Sequence, residues 1–241
     1  MKSTPLPPIT YVTSACILSV CEMIQVFEWY VYKAFAPLNN TLETDLSLSA
    51  HPFYHLSSFL MLLSFFALLY PFVVICIHNF TASPVASVMA FLGLFIFCFL
   101  QIYLLSIQVF HIQMGLSWFL MESNGPGVKE HVAAEYSRYR ELRMSLYFPL
   151  IFSQLIASVI LAFTIKVKAN RYILLKYAFG INALYLSWYL IKMYRSLFYA
   201  GDFYSGIYSP VTIIVYFLLL VWFIVNCRKS EQPFDMGHRT T

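Results

Sequence analysis

LSLSAHPFYHLSSFLMLLSFFALLYPFVVICIHNFTASPVASVMAFLGLFIFCFLQIYLLSIQVFHIQMGLSWFLM, residues 46–121, contains no Asp, Glu, Lys or Arg. A soluble domain does not keep so long a stretch free of charge. One helix needs roughly 20 apolar residues to cross a hydrocarbon core of about 30 Å, so the stretch holds two crossings. His78-Asn79-Phe80-Thr81-Ala82-Ser83-Pro84 punctuates them. The reading is a tight helical hairpin in an integral membrane protein.

Composition extends this to the whole chain. It is 60% hydrophobic and only 11% charged, where soluble domains carry about 25% charge. The net charge of +4 comes without a basic block, so nothing marks a nucleic-acid surface. Cys16, Cys21, Cys76, Cys98 and Cys227 sit in apolar runs without metal-type spacing, which reads as five small buried hydrophobes. The first apolar run carries Glu22 and Glu28 and lacks a small-residue cleavage site, so it is expected to stay as a mature span.

Outward from the hairpin, the expected fold is all-α: a polytopic bundle of six transmembrane helices. The spans fall at about 9–32, 53–77, 85–110, 145–165, 172–198 and 208–227. Residues 1–8 and 228–241 are expected as a cytoplasmic segment and a cytoplasmic tail. Pro71 inside the second span predicts a kink. Pro149 falls in the first turns of the fourth, where proline is tolerated. The apolar run after Phe110 extends past Gly115, with Trp118 placed for headgroup depth. Ser123-Asn124-Gly125-Pro126-Gly127 is a turn.

Beyond it, Val128, Val132, Tyr136, Tyr139 and Leu142 recur at helical spacing against Lys129, Glu130, Glu135, Arg138 and Glu141. Residues 128–144 are therefore expected as an amphipathic helix on the membrane surface. The alternative is a helical start to the next span.

Six crossings put both termini on one side. The 36–52 and 199–207 connections lack Lys and Arg, whereas the short 166–171 turn has Lys166, Lys168 and Arg171. The positive-inside rule then places both termini in the cytoplasm. Asn39 and Asn79 both begin glycosylation-type triplets, on opposite sides, so they do not arbitrate.

Polar groups inside spans are costly and face protein or water. The first span offers Glu22, Gln25 and Glu28 at steps of three, read as one face. The third offers Gln101, Gln108, His111 and Gln113, with 101, 108 and 111 sharing a face. Gln154 and Ser158 lie four apart on the fourth span, and Asn182, Tyr185, Tyr189 and Lys192 recur on the fifth. Counted by depth, these fill the middle and outer half, and the inner half has almost nothing polar. That describes a polar funnel open outward.

Glu22, Gln25, Glu28, Gln101, Gln108, His111, Gln154, Asn182 and Lys192 are the candidate lining of a site for a small ligand that is bound or translocated. A second reading is an intramembrane metal-dependent enzyme, or a haem protein, using His51, His55 and His111 with a carboxylate. The spacing of His51 and His55 is right only if the helix begins before Pro52. A third reading is a structural or accessory subunit whose aromatic surface and amphipathic 128–144 helix dock another protein. No motif names a reaction and no cofactor is implied. The expected partners are the bilayer, a small molecule and another membrane protein.

Overall fold

Proline begins four of the helices. With φ fixed and no N–H to leave unpaired, it suits a first helical position. A computed structural model of the chain describes residues 6–35, 51–116, 126–166, 170–196 and 208–230. In it α1 spans Pro8–Phe35, α2 Pro52–Phe80, α3 Pro84–Ser106, α4 Pro126–Thr164, α5 Asn170–Ser196 and α6 Tyr208–Ser230. A π-helical segment, Ile107–Leu116, continues α3. No strand occurs among the described residues. The sequence expectations for 1–5, the 36–50 loop, the 117–125 turn with Trp118, the 199–207 loop and the 231–241 tail fall outside them.

Five helical stretches are long and apolar enough to cross a bilayer by length and composition: Pro8–Ala34, Pro52–Phe80, Pro84–Leu116, Gly127–Thr164 and Pro210–Arg228. The fifth helix in order, α5, is not among them, because its tyrosines and lysines dilute its apolar content. Its place in the bundle comes from packing along α4 and α6. Large apolar side chains such as Val85, Phe99, Phe163, Leu184 and Phe217 lie exposed on the outer surface, where lipid rather than water is their solvent.

Two expectations change. The separate surface helix at 128–144 does not exist as such: it runs without a break into the fourth span as one 39-residue helix. No Gly, Pro, Asn or Asp falls between Val128 and Phe148, so helical hydrogen bonding simply continues. Pro149 consequently lies well inside α4 rather than in a first turn. At 1.5 Å per residue α4 is about 58 Å long, so with the π segment it extends beyond a hydrocarbon core of about 30 Å. Ile112, Leu116, Val132 and Tyr139 form a separate small core in this extension.

Each helix packs on the next in sequence, and α6 closes onto α1. The result is a ring of alternately directed helices. Cross-contacts fix the register: Tyr11 with His78 and Trp222 at the end bearing the termini, Cys21 with the Ser64 carbonyl midway, and Gln25 with Tyr216 toward the other end. The last is called the distal end below. The tightest seam lies between α3 and α4. A Cβ added at Gly93 would stand 2.7 Å from the Ser153 carbonyl oxygen and 3.0 Å from the Ala157 Cβ. Small residues let membrane helices approach this closely, and the gain is dispersion rather than water release.

One apolar core joins all six helices, with Leu18, Leu68, Phe97, Leu161, Leu175 and Trp222 fully enclosed. It runs from Tyr11 and Trp222 at the terminal end to Leu104, Met193 and Val215 toward the distal end.

Candidate functional site

The distal end of the ring is lined by a layer of side-chain hydrogen bonds. Gln108 donates from Nε2 to the Tyr54 hydroxyl at 3.2 Å and to Ser58 Oγ at 3.3 Å. Its Oε1 accepts from the Tyr139 hydroxyl at 3.2 Å. Gln113 donates to the same Ser58 Oγ at 3.0 Å. These contacts tie α2, the π segment and α4 together.

The π winding explains why two glutamines five apart meet one serine. In an α-helix, residues five apart point about 140° from each other. The i→i+5 hydrogen bonding of a π-helix closes most of that angle. The face expected from α-helical spacing, Gln101 with Gln108 and His111, is therefore replaced by Gln108 with Gln113. His111 instead lies exposed, 3.6 Å from Glu135, whose carboxylate also accepts from Arg138.

From the opposite side of the ring, α1 contributes Gln25 and Glu28. Gln25 donates to the Tyr216 hydroxyl of α6 at 3.1 Å. Glu28 and Arg143 of α4 are close enough for their charges to interact. Arg143 also donates to the Tyr147 hydroxyl at 2.9 Å. α1 and α4 stand three places apart around the ring, so this pair faces across it.

Two buried polar atoms near the layer lack a hydrogen-bond partner among the described residues: Gln113 Oε1 and His55 Nε2. Gln113 is only 4% exposed. A buried acceptor without a donor costs about 1–3 kcal/mol, so water or a ligand donor at this position would relieve it.

Glu22 does not join this end. Each step of three along a 3.6-residue helix turns back by about 60°, so Glu22 and Glu28 are about 120° apart. Glu22 lines an open groove of about 570 Å³ between α1 and α6, beside Ser19, Met23, Val26, Phe27 and Tyr30. Asn182 donates to Ser158 Oγ at 2.8 Å across the α4–α5 seam. Lys192 sits over the Trp188 ring at 5.6 Å. Gln101 and Gln154 are half-buried on α3 and α4.

The terminal half is more polar than depth counting implied. Asn79 donates to Ser87 Oγ at 3.2 Å and Thr164 Oγ1 at 3.1 Å, latching the α2–α3 hairpin to the end of α4. Buried in this way inside a helix, Asn79 is no glycosylation acceptor. Tyr11 is hydrogen-bonded to His78 Nδ1 at 3.1 Å, and Tyr172 and Trp222 pack on the same imidazole at 5.5 and 5.2 Å between centroids. These residues were hidden because they looked like turn punctuation; α2 in fact runs through His78 and Asn79 to Phe80.

The histidines named for the metal or haem alternative lie on different elements. His51 stacks on Phe53 ahead of α2, and His111 stands out on the π segment beside Glu135. Among the described residues, no three His, Cys, Asp or Glu side chains come together as ligands. No protein-family model, curated protein or solved structure matches this chain.

Proposed function

We propose that this integral membrane protein binds a small polar molecule entering at the distal end of its ring. The observation that carries the reading is the Glu28–Arg143 pair. A carboxylate and a guanidinium from helices three places apart in the ring lie close enough for their charges to interact. A zwitterion would meet Glu28 with its cationic group and Arg143 with its anionic group, since guanidinium favours planar oxyanions. Gln113 Oε1 and His55 Nε2 would accept or exchange hydrogen bonds with the same guest. The apolar core beneath is the floor that keeps the site open to one side. With the termini in the cytoplasm, that side is outward.

Thermal stabilisation of the purified protein by a panel of small zwitterions tests this, with size-matched neutral polyols as controls. Zwitterions should stabilise the wild type, and Glu28→Gln and Arg143→Gln should each weaken that effect by about tenfold in concentration, near 1.4 kcal/mol. Equal response of wild type and both variants would end the proposal. A second reading, as a subunit of a larger complex, is favoured by the extension of α4 and the π segment beyond the bilayer, with its exposed Lys129, Glu130, His131 and Arg140. A partner that co-purifies with the wild type and is lost when those four are replaced by serine would support it.

A further inference from the structure

The groove holding Glu22 is separate from the distal layer, and its chemistry differs. It opens on the outer surface of the ring, where Met23 and Tyr30 are 63% and 65% exposed. Glu22 lies about halfway along α1, hence near mid-membrane. It makes no hydrogen bond or ion pair with any described residue, and no basic side chain lines the groove. Ser19 lies one turn below it, and Phe27 and Tyr30 flank it toward the distal end. A carboxylate at this depth needs a partner, and here the open side is lipid. Aromatic rings beside a carboxylate also favour a cation over a neutral donor.

We propose that the α1–α6 groove is a lateral site for a single-chain cationic amphiphile, a long-chain amine drawn from the bilayer. Its ammonium pairs with Glu22 against the Phe27 and Tyr30 rings. Its chain lies along Met23, Val26 and Leu220. The volume of about 570 Å³ falls within the 300–1,000 Å³ of ordinary small-molecule sites. A neutral or acidic chain would leave Glu22 unpaired or oppose it.

The test uses the full chain in phosphatidylcholine nanodiscs. Three photoreactive probes with the same diazirine-bearing alkyl chain end in a primary amine, an alcohol or a carboxylate. Cross-linking is mapped by mass spectrometry. The amine should label residues 19–30, and the alcohol and acid should label them at least about tenfold less. Glu22→Gln should abolish the amine's preference. Met23→Trp, which fills the groove at an exposed position, should block labelling with Glu22 intact, so the proposal survives any folding failure of the first variant. Glu28→Gln should leave labelling unchanged, which separates this site from the zwitterion site. Equal labelling by all three probes, amine labelling unaffected by Glu22→Gln, or a polypeptide cross-linked in the groove in place of the amine overturns the proposal.

Discussion

Gly93 shows how little room a single position leaves. A methyl there would meet a backbone carbonyl at 2.7 Å, and a backbone atom cannot swing aside as a side-chain tip can. Gly93→Ala should therefore force α3 from α4 and cost about 1–3 kcal/mol, read as a lower melting temperature in detergent. An unchanged melting temperature would mean the seam is looser than the geometry gives. Asn79 supplies the opposite case. Its two acceptors also donate to their own helix carbonyls, Ser87 to Ser83 and Thr164 to Ile160. Asn79→Ala thus strands no donor and should cost only about 1 kcal/mol, in line with interhelical polar contacts in membranes. A loss several times larger would mean the latch organises more of the terminal end than these two bonds.

Among elements, α4 is the one most open to direct measurement. In a background lacking the five native cysteines, spin labels at His131→Cys and Val159→Cys sit on exposed positions 28 residues apart. A continuous helix places their backbones about 42 Å apart. A surface helix meeting its span at a right angle near residue 144 would give about 30 Å from the same rise. The pattern of 128–144 was legible as amphipathic helix, but amphipathicity does not say what lies on the apolar side. Here it is the π segment, through Ile112 and Leu116, and not lipid. The π winding itself leaves no periodic trace in a run as uniformly apolar as 84–116. For that reason Gln113 was passed over while Gln101 and His111 were grouped with Gln108.

At the scale of the molecule, the bilayer-length apolar runs and the absence of charge made the all-α membrane bundle readable from composition. The closed ring was not readable, because the contact between α6 and α1 joins the two ends of the chain and depends on Tyr11, Trp222, Gln25 and Tyr216 meeting across it. The polar residues could be found by type, but which of them meet depends on the helix packing. Glu28 and Gln108 belong to the distal layer, whereas Glu22 faces the lateral groove. What the account rests on is that the distal end admits polar solutes and the middle of the ring does not. Single-cysteine variants Glu28→Cys, Gln25→Cys and Gln108→Cys, at half-buried distal positions, with Leu68→Cys and Leu161→Cys as core controls, can be treated with a membrane-impermeant thiol reagent from either side of sealed vesicles. The account predicts modification of the first three from the side opposite the termini only, with zwitterion protection at 108, where Glu28 and Arg143 are intact, and none at 68 or 161. Modification from the terminal side, or a distal set as inert as the core pair, would contradict it.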